Sequence, residues 1–135
     1  MDDEIKQALQ NDRLIDIVTT GAKSGKRRTT EIWFTNVGGR IIICGTPGDD
    51  GQKGPPKRRD WLANLRANPE FLFCFKESIT AQLPARAVII TDPEDRRLLM
   101  SAPETKWYRD QVDSIEDLVE NSPIVEVFFE SLDTR

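Results

Sequence analysis

The chain has 135 residues, enough for one domain with a proper core, and its 38% hydrophobic and 31% charged residues are typical of a globular protein in water. A net charge of −4 argues against a general attraction to nucleic acid or anionic membrane, and no apolar run is long enough to cross a bilayer. The absence of histidine excludes Ser-His-Asp and Cys-His catalysis and histidine-ligated metals, and two cysteines are too few to favour a structural zinc site.

The first half of the chain is predicted to form two helices and three strands. The start, Met1-Asp2-Asp3-Glu4, is acidic and lacks an apolar core, which is unlike a signal peptide. Three prolines and three glycines in residues 47–56 indicate a loop. The predicted ranges are 3–11 and 57–67 for the helices and 14–20, 28–37 and 41–44 for the strands, with a Gly38-Gly39 hairpin before the last strand.

The second half is predicted to alternate strands with helices. Phe71, Phe73 and Phe75 alternate with other residues, as strand residues with one buried face do. Asp92 and Pro93 have the residue types of an N-cap and a first helical position. Further predicted elements are a strand over 81–89, a helix over 114–121 and a strand over 124–129.

Six strands in hairpin-like order with helices between them predict an α+β fold, a small antiparallel barrel, as a single domain over residues 1–135. Cys44 and Cys74 each lie in an apolar strand-like run. We therefore expect buried free thiols in a cytoplasmic protein rather than a disulfide.

The segment from Thr19 to Thr30 is the most informative for function. It reads Thr-Thr-Gly-Ala-Lys-Ser-Gly-Lys-Arg-Arg-Thr-Thr, so glycines, small hydroxyls and four cations meet in one turn between two predicted strands. Phosphate binding needs a concave run of backbone N–H groups backed by positive charge. The turn therefore predicts a phosphate site, with a solvated basic hairpin as the alternative.

Positive charge is concentrated around this turn. Residues 21–59 hold nine lysines and arginines against three acids, whereas the remaining residues hold ten basic and twenty acidic side chains. A second basic cluster, Lys57, Arg58 and Arg59, lies at the N-terminus of the helix predicted over about residues 57–67, where cations oppose the helix dipole. Two basic clusters in an acidic chain favour a local anionic ligand.

The order of several short motifs resembles the deazaflavin-dependent nitroreductase and quinone reductase family. The likeness extends over about residues 14–130. The motifs are Thr-Gly-x-Lys-Ser-Gly-x-x-Arg from Thr20, the Gly-Gly-Arg hairpin, Asp60 to Pro69, Leu83 to Ala87, Thr91-Asp92-Pro93 and Ser122 to Val127.

The resemblance implies a split antiparallel β-barrel of the FMN-binding type and an oxidoreductase that transfers hydride to a small acceptor such as a quinone or nitroarene. The cofactor would be the 8-hydroxy-5-deazaflavin coenzyme F420, with FMN as the alternative; relatives of this fold also hold FAD or heme. The residues it implies for cofactor binding are Lys23, Ser24, Gly25, Arg28, Thr29, Thr30, Trp61 and Asn64. An anionic cofactor tail would account for the cations at residues 57–59.

Catalysis would then belong largely to the cofactor. Trp61 is expected to pack against the cofactor ring and Tyr108 to supply a proton, although Trp61 equally fits an ordinary core aromatic. Ala22 stands where the family usually has arginine, and its tyrosine-rich segment has no clean counterpart here. A non-catalytic protein that sequesters the cofactor is therefore an alternative.

Other partners are expected to be few. Nucleic-acid binding is weakly supported, because exposed aromatics do not alternate with the basic residues. Neither a membrane nor a metal is expected. Split barrels often pair, so a homodimer is compatible with the sequence by analogy of fold alone.

Overall fold

The computed structural model describes residues 2–47 and 60–129. These residues form seven strands, five α-helices and a 3-10 turn at Pro103–Thr105. In chain order the elements are α1 (Asp3–Asn11), β1 (Leu14–Thr20), β2 (Arg27–Trp33), β3 (Thr35–Val37), β4 (Arg40–Cys44), α2 (Asp60–Ala67), β5 (Glu70–Phe75), β6 (Ala81–Ile89), α3 (Pro93–Ser101), α4 (Lys106–Arg109), α5 (Ile115–Asn121) and β7 (Ile124–Phe129).

The strands form one antiparallel sheet in the order β2-β1-β5-β6-β7-β4-β3. Strands β2 and β3 lie at opposite edges, yet only Phe34 separates them in the chain. In a flat sheet, six inter-strand spacings would place these edges about 29 Å apart. The sheet must therefore curl until its edges approach each other, which confirms the expected α+β split antiparallel barrel.

Seven strands replace the predicted six because the single strand expected over residues 28–37 is interrupted at Phe34. The Phe34 N–H donates to the carbonyl of Arg13 at 2.9 Å, and the side chain is fully buried. Its ring packs edge-to-face on Phe73 with centroids 5.2 Å apart. Burying Phe34 turns the chain from one edge of the sheet to the other, which a continuous apolar pattern cannot reveal.

The two faces of the sheet carry separate cores. We call the concave face, covered by α1 and α2, the inner face, and the face covered by α3, α4 and α5 the outer face. Strand β4 shows the alternation: Ile41 and Ile43 belong to the inner core, whereas Ile42 belongs to the outer core. Successive strand residues point to opposite faces, so each face can be assigned from this pattern.

Several local predictions are confirmed. Asp92 caps α3 by accepting from the Asp95 N–H at 3.0 Å, and Pro93 is the first helical residue. Cys44 and Cys74 are buried and are not joined in a disulfide. Helix α2 begins at Asp60, while residues 57–59 of the predicted helix lie outside the described part of the chain. None of the helices described is long and apolar enough to span a membrane.

Candidate functional site

A short turn joins β1 to β2 and is closed by its own backbone. The Gly21 N–H donates to the Lys26 carbonyl at 2.7 Å, and the Gly25 N–H donates to the Gly21 carbonyl at 3.0 Å. The Ser24 hydroxyl accepts from the Lys26 N–H at 3.1 Å. Gly25 has a φ of 69°, a conformation that costs little only without a Cβ.

The turn is too tight for a side chain at its first position. A Cβ added to Gly21 would lie 2.5 Å from Ser24 Oγ and 3.2 Å from the Lys26 carbonyl oxygen. Within the described residues, the amide N–H groups of Lys23 and Ser24 donate to no protein acceptor. Two backbone donors at the tip therefore remain available to a ligand.

Helix α2 is attached to this turn by the buried side chain of Asn64. Its Oδ1 accepts from the Ala22 N–H at 2.9 Å, and its Nδ2 donates to Thr19 Oγ1 at 3.1 Å. One helical turn later, Asn68 Nδ2 donates to the Thr20 carbonyl at 3.4 Å. The two asparagines hold the turn and the helix together as one unit.

A cavity of about 360 Å³ lies between the turn, the start of β2 and α2. Arg28 and Thr30 pair with Thr19 and Ile17, so they share the inner face with the core. The cavity is lined by Gly21, Ala22, Lys23, Ser24, Arg28, Thr29, Thr30, Asp60, Ala63 and Asn64.

The cavity is electropositive. Lys23 and Arg28 line it, Lys26 lies in the same turn, and Arg27 begins β2 on the opposite face. None of these four cations forms a salt bridge with an acid in the described residues, whereas Arg40 and Lys76 elsewhere are paired. Their charge is therefore available to an anion.

The structure brings together six of the eight cofactor-binding residues that the resemblance implied. Gly25 closes the turn and does not line the cavity. Trp61 is half-buried against the inner core, also outside the lining. The six that line the cavity are Lys23, Ser24, Arg28, Thr29, Thr30 and Asn64.

Tyr108 is placed elsewhere. It lies on α4 in the outer core, only 3% exposed, on the face of the sheet opposite the cavity. Burial, and then the neighbouring Cys44 thiol, raise the pKa of this hydroxyl well above its usual range. A tyrosine hydroxyl that is buried on the opposite face and has a raised pKa is poorly placed to donate a proton in the cavity.

Four lining residues were absent from the implied set: Gly21, Ala22, Asp60 and Ala63. Asp60 and Ala63 precede Asn64 by four residues and one residue, so they share a side of one helix. The spacing of four residues between Asp60 and Asn64 is the sequence signal that identifies Asp60 as a further lining residue. The second basic cluster, Lys57 to Arg59, lies outside the described residues.

The donor set suits a phosphate group. Two free amides, three small hydroxyls and two unpaired cations surround one cavity, and charge-assisted hydrogen bonds of this kind are the strong ones. Any side chain at position 21 would collide with Ser24 inside the turn. The glycine at this position therefore also fits a turn that binds an anion. The residues present therefore fit the phosphate end of the implied cofactor.

Comparison with known proteins points to one family. The family model described as F420H(2)-dependent quinone reductase matches residues 2–115. The fold is similar to a structure of an F420-H2 dependent reductase, FDR-A, with 24% identity, 87% of this chain and 95% of that chain covered, and a TM-score of 0.55.

Two further solved structures are similar. One is described as a domain-swapped dimer, with 21% identity, 93% and 95% coverage of the two chains and a TM-score of 0.54. The other is an FAD-binding protein from Mesorhizobium loti, with 13% identity, 96% and 89% coverage and a TM-score of 0.58. At these identities the solved structures establish the fold alone.

Proposed function

This chain belongs to the F420H(2)-dependent quinone reductase family, and on that premise we propose that it binds reduced coenzyme F420 and transfers hydride to a small electrophilic acceptor, a quinone or a nitroarene. The observation that carries the proposal is the phosphate-suited cavity between the β1–β2 turn and α2. Six residues implied by the resemblance converge there from three elements.

The chain's residues bind and orient, while a bound deazaflavin supplies the hydride. Lys23 and Arg28 neutralise the phosphate, and the amides of the turn and the hydroxyls of Ser24 and Thr30 direct it. We propose that Trp61, next to the cavity on α2, flanks the cofactor ring. The apolar inner face beneath it limits the access of water.

The cofactor assignment is tested by titrating the purified chain with F420, FMN, FAD and heme, following cofactor absorbance and tryptophan fluorescence. We expect F420 to bind most tightly, with FMN as the runner-up. Tightest binding of FAD or heme would contradict the assignment.

The site assignment is tested with Arg28→Ala. We expect at least a tenfold loss of affinity for the bound cofactor, about 1.4 kcal/mol, because a charge-assisted hydrogen bond is removed. Arg86→Ala is the matched control, since Arg86 is an exposed strand arginine that does not line the cavity. Equal losses in both variants would contradict a localised site.

A non-catalytic carrier of the cofactor is the second candidate, favoured by the burial of Tyr108 on the opposite face. Turnover separates the two candidates. A reductase should reduce a quinone or nitroarene faster when saturated with reduced F420 than free reduced F420 does. Tight binding without this acceleration for any acceptor would establish the carrier.

A further inference from the structure

One acid lines the otherwise basic cavity. Asp60 is the sole carboxylate among the described lining residues, and its side chain is exposed. It forms no salt bridge or hydrogen bond with another described residue, although Lys23 and Arg28 line the same cavity. Its oxygens therefore remain available to a ligand.

The position of Asp60 relative to the phosphate turn is set by α2. Asp60 and Asn64 are four residues apart on one side of this helix, and Asn64 bonds directly to Ala22 in the turn. One helical turn rises about 5.4 Å. The carboxylate thus lies about one helical turn from the β1–β2 turn. Between Asp60 and Asn64, the small residue Ala63 is the one further described residue of α2 that lines the cavity.

Chemistry limits what Asp60 can bind. An ionised carboxylate only accepts hydrogen bonds, and it repels a second anion placed next to it. Its ligand partner must therefore be a donor, and the donor must lie a few bonds from the group held by Lys23 and Arg28. A phosphate ester of a polyol has this arrangement, with hydroxyls on the carbons that follow the ester.

We propose that Asp60 is a specificity-determining residue that accepts a hydrogen bond from a hydroxyl of the chain attached to the bound phosphate. The pocket then selects phosphate esters of polyols and disfavours a second phosphate in the same place. This inference rests on the proposed function, because it takes the cavity to be the phosphate site.

An ordinary role for Asp60 would be to complement the dipole at the start of α2. That role affects the stability of the helix and does not depend on which ligand is bound. The two roles are therefore distinguished by the ratio of the affinities of one variant for two ligands, because a change of stability alone does not alter this ratio.

The experiment titrates the full chain, labelled with ¹⁵N, with glycerol 3-phosphate, propyl phosphate and inorganic pyrophosphate, following the amide signals of the turn. Wild type should prefer glycerol 3-phosphate to propyl phosphate by about tenfold, the effect of one hydrogen bond to a charged group. Asp60→Ala should abolish this preference and strengthen pyrophosphate binding. Asp60→Asn, which keeps an acceptor and loses the charge, should restore part of the preference while pyrophosphate binding stays strengthened.

Asp3→Ala is the matched control, because Asp3 is an exposed acid in the first turn of α1, and it should leave both ratios unchanged. Equal ratios in wild type and Asp60→Ala would overturn the inference while leaving the phosphate site intact. Failure of all three probes to bind wild type, or binding unaffected by Arg28→Ala, would overturn the phosphate site and the inference with it.

Discussion

Several residues shape the cavity by being small. Gly21 leaves room for the Ser24 hydroxyl, and Ala63 leaves the side of α2 open between Asp60 and Asn64. Such positions carry no chemical group that a motif search would select. Their contribution is the space in which the charged groups meet a ligand.

Tyr108 offers a clean spectroscopic test, because it is the single tyrosine of the chain. Burial and the Cys44 thiol raise its pKa, so the folded protein should show no tyrosinate absorbance at about pH 10, where an exposed tyrosine is half-ionised. The stabilising effect of the neutral hydroxyl is fully present below about pH 10 and is lost as pH rises from there towards the raised folded pKa.

The measurement is a near-ultraviolet pH titration of folded and urea-unfolded protein. The unfolded chain should ionise at the ordinary pKa, and Tyr108→Phe should remove the signal from both samples. An ordinary midpoint in the folded protein would mean that the hydroxyl reaches solvent, and a catalytic role for Tyr108 would then regain support.

At the scale of elements, the site depends on the attachment of α2 to the β1–β2 turn. Asn64→Ala should lower the free energy of unfolding by about 1–3 kcal/mol, because the buried Thr19 hydroxyl and the part-buried Ala22 N–H lose their partner. Cofactor affinity should fall as well, since the turn is no longer held against the helix. Urea unfolding and cofactor titration measure the two effects.

Asn121→Ala is the matched control, because this exposed side chain bonds, among the described residues, only to Asp117 within its own helix. It should change the free energy of unfolding by no more than a few tenths of a kcal/mol. An equally small effect of Asn64→Ala would show that α2 and the turn hold their positions independently.

The elements also show how far a sequence alone can predict this site. The position of the turn can be predicted from the sequence because its glycines, hydroxyls and cations are contiguous. Asp60 was missed because it joins the turn only through the packing of α2. The location of Tyr108 could not be predicted for a related reason: the face on which α4 packs depends on the sheet, and the curl of the sheet depends on the burial of Phe34.

At the scale of the whole molecule, we propose that two copies pair through the outer face beside the helices. Val88 and Phe128 there are 43% and 39% exposed. A groove of about 300 Å³ on the same side of the sheet includes Val18, Leu72 and Pro84. Light scattering on the eluting protein should give the mass of a dimer, because burying this apolar surface is favourable.

Phe128→Glu should convert the dimer to a monomer by placing a charge in the buried contact. Leu98→Glu is the control, since Leu98 is 65% exposed but lies on helix α3 and not on the strands that would form the contact. A wild-type monomer at all concentrations, or equal dissociation of both variants, would exclude this interface.

The location of the cavity at the edge strand β2 has a consequence for evolution. Among the strands that the structure describes, β1 alone pairs with β2, so substitutions at the start of β2 have few routes by which to disturb the packed centre. Mutations there that change which ligand the cavity binds are thus largely separable from mutations that destabilise the fold. A lineage built on this barrel can change its ligand in small viable steps, each confined to the margin of the sheet.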